Sequence, residues 1–475
     1  MLYSSCYFHL SSMEDGQSDL LSLKVVVEKE KKRVVFLEAD KYFLDVLSSF
    51  MTMPLAMIIK LTRGHSLKGE IGCLSSLYES VENLGEDHLQ STDHKDMLLH
   101  PRSAAEIYHS DLLKDNSIER TAADYYACSE GGCTFLSYYR STHCRCGSAI
   151  TLRLDFSDSA SIPQERGGFV KPTVHFMISD DFQVMPMSTK TGLALLEKVS
   201  RLDGSRIEER NINIGRNEVL KLLMHSLVSR TPFTDTLLEA PMSKGIFSVC
   251  HGKYGPRRKS DIPETIAKKE RIILKLIVSK SKNKAIYAEA KEDFVNLLCS
   301  FLTFPLGYVF SEFPSLSFKG CINNFYQTIK EFDSNQFMSE EMKEAIVYPK
   351  LAPGLPVPTK LIAIMEAVEP SYSTFHSLFN VNNSKVGPKS NFFGKAEGFI
   401  KGPSMFMVTD NLTVTPLSAI SGLSLINKLR IPLIDIEEQQ VDVGEDEALR
   451  LLVATLVSKY TLTDAFLHKE EKQES

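Results

Sequence analysis

Tryptophan is absent from this 475-residue chain, and cysteine is sparse, at nine. So few cysteines in so long a chain exclude a disulfide-stapled scaffold, which packs its bridges far more densely. A charge excess of one sign is also lacking. The net charge of −6 gives no global electrostatic reason to bind nucleic acid or an anionic membrane. Long hydrophobic runs are missing too. The longest, roughly Val46 to Ile59 and Leu297 to Phe310, contain Ser, Thr and Pro and fall short of the ~20 apolar residues of a spanning helix. Met1 to Ser12 has neither a basic start nor a proper apolar core for a secretory signal, and Met13 looks the more natural start. The expected location is therefore intracellular, cytoplasmic or nuclear. G-x-S-x-G, H-E-x-x-H and G-x-G-x-x-G do not occur, which removes the commonest nucleophile, metalloprotease and dinucleotide signatures.

What is there is said twice. Leu23-Lys24-Val25-Val26-Val27 returns as Leu274-Lys275-Leu276-Ile277-Val278, and Ser49-Phe50-Met51-Thr52-Met53-Pro54-Leu55 as Ser300-Phe301-Leu302-Thr303-Phe304-Pro305-Leu306. Gly72-Cys73-Leu74 returns as Gly320-Cys321-Ile322, and Phe176 to Asp180 as Phe406 to Asp410. Such self-similarity predicts a tandem architecture, each copy long enough to bury its own core. Each copy opens on two apolar, β-branched runs around a charged tip, the pattern of a β-hairpin. Apolar residues at helical spacing follow, from Tyr42 to Met51 and from Phe294 to Leu302, until Pro54 and Pro305 break the helix. Near the ends come short strands around an Asp turn, an alternating strand (Ile212 to Ile214, Val441 to Val443) and a strong amphipathic helix.

The expected fold is α+β: two tandem repeats, each a hairpin, then helices, then strand–helix pairs. The first repeat is placed at 20–240 with a Cys-rich, zinc-ribbon-like insert at 125–150, and the second at 271–468 with a loop-rich insert at 345–397. A linker at 241–270 and disordered ends at 1–19 and 469–475 complete the chain. The mobile loop is expected at 370–396. His88, His94 and His100 recur every six residues, off any single helical face, and read as surface groups.

The hairpin with Glu38-Ala39, the Ser49 to Leu55 block, Gly72 to Leu84, Cys144-Arg145-Cys146-Gly147, Ile178 to Asp181 and Thr231 to Asp235 together resemble one plant family, domain of unknown function six hundred and seventy-four. The resemblance spans nearly the whole chain. It implies a plant origin and a tandem architecture, and it supplies no activity.

The strongest chemical signal is Cys128, Cys133, Cys144 and Cys146, spaced C-x4-C-x10-C-x-C. Four thiolates suit a tetrahedral structural Zn²⁺, and Gly131, Gly132 and Gly147 let the backbone curl around it. His143 is a substitute ligand; reduced thiols or a regulatory disulfide are the alternatives. The second copy has no cysteine after Cys321, so one zinc per chain is expected. The matched acids are Glu38 with Glu289, Asp180 with Asp410 and Asp235 with Asp464. A pair within reach would suit acid–base chemistry. Asp180 and Asp410 also suit turns, and Thr234-Asp235 and Thr463-Asp464 suit helix N-caps.

The expected function is a non-catalytic interaction or scaffold protein with protein partners and one structural zinc. A hydrolase site of carboxylates between the repeats is the alternative. Nucleic-acid binding around Tyr138, Tyr139, Arg140, His143 and Arg145 is a third reading, with nucleic acid the less expected partner.

Overall fold

The computed structural model describes residues 20–63, 71–106, 125–128, 136–140, 142, 144, 147–154, 168–172, 175–199, 207–238, 271–314, 320–357, 361–362, 364, 366 and 398–467. The N-terminal 1–19, the 241–270 segment, the 370–396 loop and residues 469–475 lie outside them. Among the described residues no helix is long and apolar enough to cross a membrane.

The chain is a mixed α/β protein with antiparallel sheets. In the first half, β1 (Leu21–Glu28) and β2 (Arg33–Ala39) form the hairpin, closed by Lys32 at φ 48°. β6 (Phe176–Ser179), β7 (Val184–Pro186) and β8 (Ile207–Ile214) complete a five-stranded sheet of order β7-β6-β2-β1-β8. In the second half, β9 (Ile272–Ser279) and β10 (Lys284–Lys291) turn through Asn283 at φ 46°. With β11 (Met405–Thr409), β12 (Val414–Pro416) and β13 (Ile436–Val443) they form a sheet of the corresponding order, β12-β11-β10-β9-β13. β3 (Tyr125–Cys128), β4 (Leu136–Ser137) and β5 (Ile150–Leu154) form a separate three-stranded sheet.

Helices α1 (Lys41–Thr52) and α8 (Glu292–Thr303) are buried along almost their whole length. Their ends are shaped alike. Thr52 and Thr303 bond back to the carbonyls of Ser49 and Ser300, and Pro54 and Pro305 then bridge each other. Leu55 N donates to Phe304 O at 2.9 Å and Leu306 N to Met53 O at 3.0 Å, so the two prolines face across a seam between the halves.

Beyond that seam the halves exchange helices. In the first half α2 (Leu55–Arg63), α3 (Leu74–Asn83) and α4 (Thr92–Leu99) pack on α8, and α3 also reaches β12. In the second half α9 (Leu306–Glu312), α10 (Ile322–Glu331) and α11 (Glu340–Val347) pack back, α9 and α11 on α1 and α10 on β7. The main hydrophobic core consequently runs through both halves without a break. α4 and α11 also answer each other, in place and in the matches of Ser91, Lys95, Leu98 and Pro101 with Ser339, Lys343, Ile346 and Pro349.

α5 (Thr189–Val199), α6 (Arg216–Val228) and α7 (Pro232–Leu237) close the first half. α12 (Ala419–Lys428), α13 (Glu445–Val457) and α14 (Thr461–Phe466) close the second. α5 and α12 cover the outer faces of the two sheets over small satellite clusters, Phe36 with Met177 and Leu195 in one, Tyr287 with Met407 and Ile426 in the other. α6 and α13 start alike, with Glu218 and Glu447 accepting from the backbone N–H of Gly215 and Gly444.

Candidate functional site

Asp180 sits in the turn between β6 and β7, as turn chemistry suggests. Its carboxylate accepts from Thr234 N at 3.0 Å and Thr234 Oγ1 at 2.7 Å, with Arg33 Nε at 3.5 Å. Burial pushes its pKa up to about 6, against the lowering effect of those hydrogen bonds and of Arg33. Asp410 accepts from Thr463 N at 2.8 Å and Thr463 Oγ1 at 2.7 Å, and burial raises its pKa in the same direction. The N-cap expectation for Thr234-Asp235 and Thr463-Asp464 needs correction. The caps are Thr231 and Tyr460, and Thr234 and Thr463 lie inside the first turn. The orphan N–H groups of that turn are satisfied from a distance by Asp180 and Asp410, which is why capping residues were misplaced by local reading.

Glu289 lies elsewhere, in an ion pair with Lys275 at 3.5 Å. Glu38 stands across the β1–β2 ladder from Lys24. These acids do not meet the turn aspartates in either of the two cavities described below.

A pair of residues that motif reasoning passed over is Asp45 and Asn296, at equivalent places on α1 and α8. Asp45 Oδ1 accepts from Phe169 N at 2.7 Å and Val170 N at 3.0 Å, while Asn296 Oδ1 accepts from Ile400 N at 2.9 Å. Each hooks the chain that leads into β6 or β11. The signal was a polar residue in register in both halves, at the head of a polar line continued by Ser49 and Thr52 in one and by Ser300 and Thr303 in the other.

Cys128 ends β3, pairs with Ile150 and shares a small buried cluster with Cys144, Ile150 and Tyr126. Cys144 O accepts from Gly147 N at 2.8 Å, and Gly147 takes φ 90°, a tight turn that favours glycine. Cys133, His143, Arg145 and Cys146 lie outside the described residues. Among the described residues no three His, Cys, Asp or Glu side chains stand close enough to hold a metal ion.

Beside this sheet a cleft of about 260 Å³ is lined by Asp93, Asp96, Arg102, Tyr126, Tyr138 and Arg140. Arg102 is buried, bonded to Glu106 at 2.8 and 3.1 Å, with Tyr138 4.4 Å and Tyr125 5.3 Å from its guanidinium. Tyr139 OH accepts from Arg102 N at 2.7 Å. Tyr138 and Tyr139 are thus engaged in packing, and the cleft carries both signs of charge, Asp93 and Asp96 beside Arg102 and Arg140.

The histidines also differ from expectation. His94 is buried, with its ring edge-on to Phe399 and Nδ1 2.6 Å from Ser91 Oγ. His88 packs on Phe406. Both rings pack against the second half, His94 on the segment before β11 and His88 on β11 itself.

The outer faces of both halves carry exposed aliphatic side chains, Leu193 on α5 among them. Ile420, Leu423, Leu433 and Ile434 are exposed on α12 and on the turn that follows it. A groove of about 380 Å³ runs between α12 and β11, with Met407, Thr409, Leu425 and Lys428 in its walls.

A family model described as "Protein of unknown function (DUF674)" matches residues 17–446. No curated protein and no solved structure matches the chain.

Proposed function

The chain belongs to this family of proteins of unknown function, and from that premise we propose a non-catalytic interaction protein built from two copies of one α+β module, the first carrying a structural zinc on Cys128, Cys133, Cys144 and Cys146. The observation that carries the interaction reading is the exposed aliphatic surface of Ile420, Leu423, Leu433 and Ile434. Clustered apolar exposure on an otherwise well-buried fold marks a binding surface. The acids best placed for chemistry, Asp180 and Asp410, instead spend their oxygens on backbone and threonine hydrogen bonds that hold the fold.

Corresponding strand orders, the paired proline bridge and the matched Asp–Thr bonds support the two-copy reading. The zinc reading is supported by two of its four donors sharing one buried cluster beside a positive-φ glycine, on a three-stranded antiparallel sheet. Zinc there would tie together a small sheet too thin to bury a core of its own.

Two measurements test this. Elemental analysis of the purified chain is expected to find one zinc per molecule, with loss of the metal and a lower thermal transition in Cys144→Ser; a metal-free protein removes the zinc. Immobilised wild-type chain is expected to retain proteins that an Ile420→Lys/Leu423→Ser/Ile434→Ser variant of unchanged circular dichroism does not. Identical capture by the two would defeat the interaction reading.

A further inference from the structure

We infer that the cysteine-bearing sheet of β3, β4 and β5 is a clamp across the seam between the halves, so that metal held by its cysteines and closure of the seam favour each other. The inference rests on the zinc reading above and supplies the regulation of that site.

The sheet has two ends of different character. At one end Cys128, Cys144 and Ile150 form a small buried cluster, separate from the main core. At the other, Tyr138 and Tyr139 follow β4 into the main core. That second end is gripped from both halves. From the first half, Arg102 N donates to Tyr139 OH at 2.7 Å and Arg102 Nη1 to Tyr138 O at 3.2 Å. From the second half, Pro353 O accepts from Tyr138 N at 3.0 Å, and Gly354 abuts Ser137. A Cβ on Gly354 would overlap Ser137 Oγ, and its φ of 89° is a conformation that favours glycine. Beside these contacts, Ser103 of the first half bridges Leu351 of the second. Ser103 Oγ also donates to Thr52 O at 2.8 Å, one residue before the Met53 carbonyl that receives Leu306 N. The docked end of the sheet is therefore continuous with the proline seam.

A short path joins the two ends. Ser137 Oγ accepts from Thr142 Oγ1 at 3.2 Å, Thr142 O accepts from Ile150 N at 2.8 Å, and Ile150 stands opposite Cys128 in the ladder. The path from Gly354 to the cysteine cluster thus passes through Ser137, Thr142 and Ile150. The cluster buries too little to hold that path rigid: β4 is two residues long, and the buried group is one isoleucine with two cysteines. A metal on four thiolates supplies the missing rigidity, since binding energy at such a site is folding energy. With metal in place, the face of Ser137 is fixed for Gly354. With Gly354 seated, the strands that carry the thiolates are already ordered. Linkage makes the two effects equal, and coupling between distinct sites is typically about 5–150-fold.

The test uses the full chain loaded with Zn²⁺. Competition against a chromophoric chelator of known affinity compares the wild type with Gly354→Ala, which disturbs the docked face without touching a cysteine. The variant is expected to hold zinc at least about fivefold more weakly. The reverse effect needs no variant. Stripping zinc from the wild type is expected to speed amide exchange at residues 351–355 at least about fivefold, with α12 on the outer face of the same half unchanged. Equal zinc affinity in the two proteins, or exchange at 351–355 that is indifferent to the metal, overturns the inference and leaves the zinc reading standing. A rise shared equally by α12 is global unfolding and overturns it as well. A chain purified without zinc that takes up none from added Zn²⁺ overturns both, so metal content tells the two failures apart.

Discussion

Thr234 Oγ1 donates to Asp180 Oδ2 at 2.7 Å and accepts from Val34 N at 2.8 Å, so one hydroxyl joins a hairpin strand, a β-turn and a C-terminal helix. Thr463 repeats the arrangement between Asp410, at 2.7 Å, and Ala285 N, at 2.9 Å. Residues some 200 positions apart in the chain are held by one relay, and the aspartates are used as fasteners.

Removing a fastener leaves buried N–H and O–H groups without an acceptor. Asp180→Ala and Asp410→Ala are each expected to lower stability by about 2–3 kcal/mol, and Thr463→Val by a similar amount, since Val leaves Asp410 under-satisfied. Urea unfolding midpoints check this. A shift below a few tenths of a kcal/mol would show the relay to be incidental.

Acid should act on the first half in two opposing ways. Asp180 is raised from 3.8 to about 6 by burial. Between those values the native state holds a proton that the unfolded chain releases, so stability from this group grows as pH falls from above 6 towards 4. His225 is buried beside Thr236 and its pKa is lowered below 6.5 by burial. Its contribution is complete above pH 6.5 and is lost as pH falls through the lowered value. The second half carries Ala454 and Ala465 at these two places. His225→Ala/Thr236→Ala should therefore flatten the acid-side loss, and Asp180→Asn should remove the gain. Melting temperature against pH from 7 to 4 in the two variants separates the contributions.

Two of the closest approaches between the halves fall at glycines. A Cβ on Gly72 would lie 2.2 Å from Thr455 O, and one on Gly320 would lie 2.1 Å from Ser226 O. Gly72 also holds φ 51°. Gly72→Ala and Gly320→Ala should each cost about 2–3 kcal/mol. Because each contact crosses between halves, faster hydrogen exchange is expected in α13 for the first variant and in α6 for the second. Protection lost only next to the substitution within its own half would contradict the exchange of helices.

Asp45 and Asn296 perform one task with different charges. Asp45→Asn keeps the acceptor for Phe169 and Val170 and gives up the bond of 2.6 Å from Lys41. It also removes a charge whose burial raises its pKa. A change within about 1 kcal/mol is expected, whereas Asp45→Leu should cost about 2–3 kcal/mol by orphaning two buried N–H groups. Chemical denaturation of the two variants distinguishes a hook that needs an acceptor from one that needs an ion pair.

Much of the local structure was legible in the chain. The hairpins, the Pro54 and Pro305 breaks and the short strands around Asp180 and Asp410 all lie where apolar period and turn residues put them. α4 and α11 do match in sequence, Ser91, Lys95, Leu98 and Pro101 answering Ser339, Lys343, Ile346 and Pro349, but the match is spread over conservative exchanges and becomes plain only from their places against α8 and α1 in three dimensions. The distant capping of α7 and α14 was hidden for a similar reason: cap rules look a few residues away, and Asp180 lies 54 positions before Thr234.

Sequence by itself determined the elements and their order, since dihedral preference, apolar period and proline breaks act over a few residues. Tertiary structure alone decided that helices cross between the halves, that the turn aspartates serve Thr234 and Thr463, and that Ile420 and Ile434 remain outside. Those outcomes depend on which apolar surfaces can be covered at once in three dimensions, and no local pattern encodes that.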